Sequence, residues 1–170
     1  MIKVAIGQDS HRFCQLPYPE ERKLLLGGVV FEGETSLEGN SDADVILHAL
    51  TNAISGITCI PVLGAAADEM CQSGITDSRE YVKEALKDLK GEILHVSFSV
   101  EAKKPKLMRS IPDIRSSIAT ILGIDISRVM LTATSGEGLT EFGRGEGIQV
   151  FCVLTVEWIK ENTGDRVDAV

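Results

Sequence analysis

The segment N-S-D-A-D-V-I-L-H-A-L (residues 40–50) opens the clearest helical pattern in the chain. Asn40 and Ser41 are residue types that cap helix N-termini, and apolar residues then recur at helical spacing. The pattern predicts a helix that begins near Ser41 and ends before Pro61. Asp42 and Asp44 would then lie in its first turn, where the helix dipole favours negative charge.

A histidine interrupts the apolar face of this predicted helix. His48 follows Asp44 by four positions and therefore lies on the same side of the helix. An imidazole among valine, leucine and isoleucine side chains is costly to bury unless a partner satisfies it. One interpretation is a core histidine bonded to a backbone carbonyl, and the other is a metal ligand.

A second histidine stands near the N-terminus in the sequence Q-D-S-H (residues 8–11). Asp9 and His11 are two positions apart, so on an extended chain their side chains point to the same side. Together with His48 they offer two nitrogens and one carboxylate oxygen, a set that suits zinc and leaves a fourth position for substrate. Judged by spacing alone, a turn aspartate beside an exposed histidine is the alternative.

The composition excludes several classes of protein. The chain has 170 residues with 44% hydrophobic residues, enough for one domain with a substantial core. A net charge of −8 argues against a nucleic-acid partner. No apolar run is long enough to cross a membrane, and the first residues lack the layout of a signal peptide. We therefore expect a cytoplasmic protein with no nucleic-acid and no membrane partner, whose four cysteines are reduced.

The remaining patterns predict an α+β fold with a mixed sheet and helices packed on one of its faces. The first half of the chain is predicted to contain a strand from Ile2 running into Asp9 and His11, two short strands around Gly27-Gly28, the helix carrying His48, a loop or short, poorly anchored helix over residues 61–76 and a helix over 77–90. The second half is predicted to contain a strand over 93–100, a helix over 112–122, a strand over 128–134 and a long central strand over 148–159. In the strand over 93–100, Leu94, Val96, Phe98 and Val100 are predicted to share one face. Residues 1–160 form the predicted single domain and residues 161–170 a polar tail. Because both sheet faces read as apolar and the helices cover one, we expect another subunit to cover the second face.

Three further stretches carry chemistry. T-A-T-S-G-E-G (residues 132–138) ends a strand with hydroxyls, free backbone N–H groups and Glu137, which suit phosphate and a hard cation; the alternative is a polar turn. K-K-P-K (residues 103–106) is the densest positive cluster and suits a nucleotide phosphate, or else is a solvated charge run. His95 has no acidic partner at useful spacing, so we do not expect it to bind metal.

In order and spacing these motifs resemble those of the 2-C-methyl-D-erythritol 2,4-cyclodiphosphate synthase family. The resemblance covers residues 7–156. It rests on G-Q-D-S-H (7–11), L-G-G-V (26–29), S-D-A-D-V-I-L-H-A-L (41–50), I-T-D-S-R-E (75–80), P-K-L (105–107), I-P-D-I-R (111–115), T-A-T-S-G-E-G-L (132–139) and G-R-G-E-G-I (143–148). It implies a homotrimer whose sheets face each other, with three active sites that each lie between two subunits.

The resemblance also implies the roles of individual residues. Zinc, or another divalent transition metal, would bind Asp9, His11 and His48, and magnesium or manganese would bind Glu137. Asn40 and Ser135 would be catalytic. The residues expected to bind substrate are Ser41, Ala102, Pro105, Lys106, Leu107, Met108, Ala133, Thr134, Gly136 and Arg144, with the last near a threefold axis that can hold an isoprenoid diphosphate.

The implied reaction belongs to the non-mevalonate route to isoprenoids. The 2-phosphate of a CDP-linked methylerythritol attacks the β-phosphorus of the same molecule, a cyclic diphosphate forms, and CMP leaves. Because two anionic phosphates must approach each other, divalent cations that offset their repulsion are the main requirement.

The chain departs from the family pattern at four places. Two departures are small: Ser135 replaces a threonine and keeps the hydroxyl, and Phe142 lies one position later than the family's aromatic residue. The other two are larger. Asn40 stands where the family has a histidine, and Val62 stands where it has an aspartate, with Asp68 and Glu69 as the acidic candidates to replace it. The altered loop favours an alternative function, a non-catalytic trimer that binds metal and an isoprenoid diphosphate. The retained metal-ligand pattern favours the enzyme. A zinc phosphohydrolase is a third, weaker reading.

Overall fold

A computed structural model describes residues 1–15 and 22–159 of the chain, and the predicted polar tail lies outside the described residues. The strands are β1 Ile2–Arg12, β2 Leu24–Leu26, β3 Val29–Phe31, β4 Gly91–Glu101, β5 Val129–Thr134 and β6 Gly147–Trp158. The helices are α1 Val45–Thr58, α2 Ala65–Gln72, α3 Ser78–Leu86, α4 Ile111–Leu122 and α5 Glu141–Arg144. The predicted elements occur in the predicted order, and the short helix α5, which the sequence did not predict, lies between β5 and β6.

The main sheet has the strand order β1-β6-β4-β5, and β2 and β3 form a separate hairpin. β6 pairs antiparallel with both β1 and β4, whereas β4 and β5 are parallel. The sheet is therefore mixed and β6 is central, as its continuous apolar sequence predicted. α1 packs on β1 and β6, and α4 packs on β5, on the same side of the sheet. The predicted α+β architecture with helices on one face is confirmed.

A glycine lets α1 lie directly on β1. A Cβ atom added to Gly7 would lie 2.0 Å from the carbonyl oxygen of Ala49 and 2.4 Å from the amide nitrogen of Ala53. Any side chain at this position would therefore push the helix away from the strand. This close approach brings the helix residue His48 within reach of the strand residues Asp9 and His11.

The N-terminus of α1 differs from the prediction. The helix begins at Val45 with Asp44 as its N-cap, not near Ser41. Ala43 has φ of +57°, a left-handed conformation that a helix cannot contain, and the Asp42 carboxylate accepts hydrogen bonds from the backbone N–H groups of Asp44 and Ser78. Asp42 and Asp44 therefore precede the helix, and Asn40 is not its cap.

The Asp44 carboxylate links the start of α1 to the β2–β3 hairpin through hydrogen bonds. Its buried carboxylate accepts hydrogen bonds from the backbone N–H groups of Ile46 and Leu47 at the helix start, and of Gly27 and Gly28 at the hairpin bend. Both glycines have positive φ, which aims their N–H groups at one carboxylate. Burial raises the pKa of Asp44, and the N–H donors act against that shift.

We expect Asp44→Ala to lower the free energy of unfolding by about 3 kcal/mol, because four backbone N–H groups lose their acceptor. The matched control is Asp77→Ala. Asp77 caps α3 but accepts only one backbone N–H, that of Arg79, so about 1 kcal/mol is expected there. Urea denaturation followed by circular dichroism measures both. If Asp44→Ala lowers the free energy of unfolding by no more than Asp77→Ala does, Asp44 does not link α1 to the hairpin as described.

Two other elements differ from the sequence-based prediction or complete it. β4 contains an irregularity between Ile93 and His95, so Ile93 is buried in place of Leu94, and the predicted face containing Leu94 is wrong. Residues 61–76, predicted as a loop or short helix, contain α2, in which Ala67 is buried and the other residues are exposed or half-buried. No helix of the described chain is both long and apolar enough to span a membrane.

The face of the sheet opposite the helices is uncovered in the single chain. Ile2, Val4 and Ile6 of β1 lie on it, and Ile6 is 65% exposed. The sheet register aligns Ile6 with Val153 on β6, and Val153 with Ser97 on β4. The face is thus apolar along β1 and β6, as predicted, and carries serines along β4.

Candidate metal centre

Three side chains from two elements meet at one end of the sheet. Asp9 Oδ2 lies 3.0 Å from His11 Nε2 and 3.0 Å from His48 Nδ1, and the two nitrogens are 3.0 Å apart. β1 positions the first two by strand alternation, and α1 positions His48 across the Gly7 contact. Within the described part of the chain this is the group of three suited to a metal ion. The alternative of a core histidine bonded to a carbonyl is wrong for His48.

Hydrogen bonds on the far side of each imidazole orient the two rings. His11 Nδ1 lies 2.7 Å from the carbonyl oxygen of Glu38, which can only accept, so this nitrogen carries the proton. His48 Nε2 lies 2.9 Å from the Ser78 hydroxyl oxygen, and that hydroxyl donates to Asp42. His48 therefore donates through Nε2. In the neutral rings His11 Nε2 and His48 Nδ1 then carry lone pairs.

Three lone pairs consequently converge on one point, together with the negative charge of Asp9. Such an arrangement is repulsive unless a cation lies among the three atoms. A tetrahedral zinc ion with bonds of about 2.0–2.2 Å holds its ligand atoms about 3.4 Å apart, close to the spacing here. The residues therefore fit a divalent transition metal with an open coordination position.

The ionisation of these groups agrees with a cation site. Burial alone would raise the pKa of Asp9, but its close contacts with the His11 and His48 imidazoles together outweigh burial and hold the pKa well below its usual range. Burial lowers the pKa of His11, yet the contact with Asp9 prevails and raises it. The raised pKa of His11 means that a metal ion competes with a proton for its imidazole nitrogen.

An open pocket of about 230 Å³ surrounds the cluster. Besides the three ligand residues it is lined by Gly39, Asn40, Ser41, Leu63, Gly64, Ala67, Asp68, Cys71 and Tyr81. Asn40 and Ser41, predicted to be catalytic and substrate-binding, thus lie beside the cluster. Of the two acidic candidates on α2, Asp68 lines this pocket, whereas Glu69 lines a groove on the other side of the helix.

Most of the other predicted site residues line a second pocket. It is lined by Ala102, Pro105, Lys106, Leu107, Met108, Ala133, Thr134 and Ser135. Of the three lysines in K-K-P-K, Lys106 lines this pocket, while the Lys104 ammonium lies 4.9 Å from the ring centre of Phe13. The structure therefore separates the two predicted catalytic residues, Asn40 and Ser135, into different pockets of the chain.

The last three predicted site residues lie beyond both pockets. Gly136 and Glu137 form a tight turn after β5, with Glu137 at φ of +48°. Glu137 is exposed and belongs to no three-residue metal group in the described part of the chain. Arg144 ends α5 and forms ion pairs with Glu141 and Glu146.

Sequence reasoning assigned no role to several residues of the metal centre. Ser78 and the Glu38 carbonyl contact the ligand histidines, and Tyr81 and Cys71 line the pocket. The motif I-T-D-S-R-E did mark the region of Ser78 without indicating its contact. The carbonyl of Glu38 has no sequence signal, because any residue supplies one.

Comparison with known proteins agrees with this arrangement. The model of the YgbB family matches residues 2–157. The 2-C-methyl-D-erythritol 2,4-cyclodiphosphate synthase of Chlamydia muridarum (strain MoPn / Nigg) is 49% identical over 159 residues, covering 92% of this chain and 88% of the relative. That of Chlamydia caviae is 47% identical, covering 92% of this chain and 89% of the relative.

Solved structures show the same similarity. The bifunctional IspDF from Campylobacter jejuni superposes with a TM-score of 0.82 at 30% identity, over 94% of this chain and 43% of that chain. The present chain therefore spans less than half of that bifunctional protein. The CDP complex of IspF from Plasmodium falciparum superposes with a TM-score of 0.75 at 26% identity, over 94% of this chain and 97% of that chain.

Proposed function

The chain belongs to the YgbB family, and from this membership and its Asp–His–His cluster we infer that it is a metal-dependent 2-C-methyl-D-erythritol 2,4-cyclodiphosphate synthase of isoprenoid biosynthesis. The enzyme is a lyase. The 2-phosphate of its CDP-linked substrate bonds to the β-phosphorus, the bond from that phosphorus to the CMP oxygen breaks, and CMP leaves.

The observation that carries the metal assignment is the convergence of one carboxylate oxygen and two imidazole nitrogens, each 3.0 Å from the other two, in an open pocket. Asp9, His11 and His48 hold zinc or another divalent transition metal. When bound, the cation offsets the repulsion between the two substrate phosphates. Asn40 donates a hydrogen bond to a substrate phosphate as a neutral group, beside Ser41. The nucleophile is already an anion, so these residues position it and need not remove a proton.

The second pocket is the proposed site of the cytidine nucleotide. Lys106 supplies positive charge, and the hydroxyls of Thr134 and Ser135 face the same pocket. Glu137, at the following turn, is the proposed ligand of magnesium or manganese on the diphosphate. The proposed role of Arg144, an isoprenoid diphosphate contact at a trimer axis, rests on the resemblance alone. The cytoplasmic location stays a prediction from the sequence.

The two pockets lie at opposite edges of the sheet, which supports an active site shared between subunits. The register places Asp9 on β1, Val150 on β6, Val100 on β4 and Ala133 on β5 in one row. Three strand spacings, about 14 Å, separate the two edges. In a ring of three chains the β1 edge of one subunit can meet the β5 edge of the next, and we propose a homotrimer of this kind. Leu139, which is 85% exposed after β5, is then covered.

Asp68 is proposed to accept hydrogen bonds from the methylerythritol hydroxyls, replacing the aspartate missing at Val62. We expect Asp68→Ala to raise KM about tenfold, the loss of roughly 1.5 kcal/mol from one hydrogen bond to a charged group. Glu69→Ala is the matched control, because Glu69 is the adjacent exposed residue of α2 and lines another groove. Steady-state kinetics that show equal KM values for the two variants would rule out this contact.

Phosphorus NMR of the purified protein with zinc, magnesium and the CDP-linked substrate tests the function as a whole. The expected products are CMP and the cyclic diphosphate. CMP together with a linear product would indicate the phosphohydrolase, and binding without turnover would indicate the non-catalytic trimer.

A further inference from the structure

A serine and an aspartate lie directly behind the metal ligand His48. Ser78 Oγ is 2.9 Å from His48 Nε2 and donates its hydroxyl proton to Asp42. The Ser78 side chain is completely buried and comes from the first turn of α3, thirty residues after His48. We propose that Ser78 and Asp42 are positioning residues that hold the His48 ring in the one tautomer able to bind the metal.

Counting donors and acceptors gives the direction of each bond. An ionised carboxylate only accepts, and Asp42 already accepts from the backbone N–H groups of Ser78 at 3.0 Å and Asp44 at 3.1 Å. The hydroxyl proton of Ser78 therefore goes to Asp42. The serine oxygen is left as an acceptor for the proton on His48 Nε2. A neutral imidazole has one N–H, so Nδ1 keeps its lone pair toward Asp9 and His11.

Helix capping does not explain the position of the Ser78 hydroxyl. The N-cap of α3 is Asp77, whose carboxylate accepts from Arg79, so the side chain of Ser78 does not cap the helix. Asp42 is itself fixed by its backbone N–H, which donates to the carbonyl of Thr76 at 2.9 Å. The pair thus ties the start of α3 to the ligand on α1. Partners of this kind change metal affinity by 10–100-fold where they are removed in other metal sites.

A second serine, Ser41, also lies near His48 Nε2 and is the alternative hydrogen-bond partner of this nitrogen. Ser41 Oγ lies 3.3 Å from His48 Nε2 and accepts a hydrogen bond from the backbone N–H of Ala43 at 3.1 Å. Its contact with the imidazole is longer than that of Ser78, and no carboxylate takes its hydroxyl proton among the hydrogen bonds of the described residues. Ser41→Ala is therefore the matched control for Ser78→Ala.

The test measures zinc affinity by competition with a chromophoric chelator at fixed pH. We expect Ser78→Ala to bind zinc 10–100-fold more weakly than the parent protein. Ser78→Thr keeps the hydroxyl and is expected to stay within about threefold of the parent, as is Ser41→Ala. Asp42→Asn is expected to weaken binding like Ser78→Ala, because either orientation of the amide places its NH₂ against a donor of Ser78. Circular dichroism of each variant verifies the fold.

Long-range nitrogen–proton NMR of the metal-free protein at about pH 8 reports the tautomer directly. We expect the Nε2–H form for His48 in the parent and a mixture in Ser78→Ala. The inference rests on the proposed metal at Asp9, His11 and His48, but the two can fail separately. A parent protein that binds no zinc would overturn the metal site. Unchanged affinity and tautomer in Ser78→Ala, or a larger loss in Ser41→Ala, would overturn the role of Ser78.

Discussion

Replacing His48 by alanine is expected to abolish zinc binding and turnover. The variant loses one of three ligand atoms and leaves the Asp9 carboxylate beside His11 with no cation between them. We expect kcat to fall by about a thousandfold or more, the scale of removing a charge-stabilising group from a phosphoryl-transfer site. The proposed trimer should still assemble, because His48 is buried between α1 and β1 of its own chain and offers little surface to a neighbouring subunit.

Elemental analysis after gel filtration, with sedimentation analysis of the same sample, measures both expectations. His95→Ala is the matched control, because it removes the histidine on β4, which is exposed and away from the cluster. Stoichiometric zinc in His48→Ala would show that the metal binds elsewhere. Loss of zinc in His95→Ala would show the same.

Two inactive variants are expected to restore activity to each other when their subunits are mixed. His48→Ala damages the zinc half of a site, and Lys106→Ala damages the nucleotide half. In the proposed trimer each site takes its two halves from neighbouring chains. A site is intact when its zinc half comes from a Lys106→Ala chain and its nucleotide half from a His48→Ala chain. Random assembly of equal amounts makes about a quarter of the sites intact.

The complementation is measured as CMP release after subunit exchange, relative to the two unmixed variants. Native mass spectrometry verifies that mixed trimers have formed. Recovery near a quarter of the parent activity supports a shared site. Mixed trimers with no activity above that of the unmixed variants would mean that a single chain supplies both halves. The active site would then extend about 14 Å across the sheet of that chain.

Periodicity in the sequence predicts the direction of each candidate metal ligand, and the family resemblance then groups the three residues into one site. Asp9 and His11 lie two positions apart on a strand, and His48 interrupts a helical pattern, so each side chain has a defined direction. The Gly7 contact then sets the distance between the strand and the helix. These features are regular and local, which is why sequence reasoning finds them.

The outer contacts of the site could not be predicted because they depend on exceptions to regular geometry. Because Ala43 has a left-handed conformation, α1 begins at Val45 and not near Ser41 as predicted, and Asp42 contacts Ser78. Neither effect leaves a periodic signal. On α2, Asp68 and Glu69 are adjacent acidic residues, and only the orientation of the helix determines which one lines the pocket.

The most direct test of the central claim is phosphorus NMR of the products formed in ¹⁸O-labelled water. The attacking oxygen belongs to the substrate's own 2-phosphate, so we expect a cyclic diphosphate and CMP that contain no oxygen from the solvent. A solvent oxygen on either phosphorus-containing product would show that water is the nucleophile. That result would contradict the cyclisation and assign the metal centre to a hydrolase.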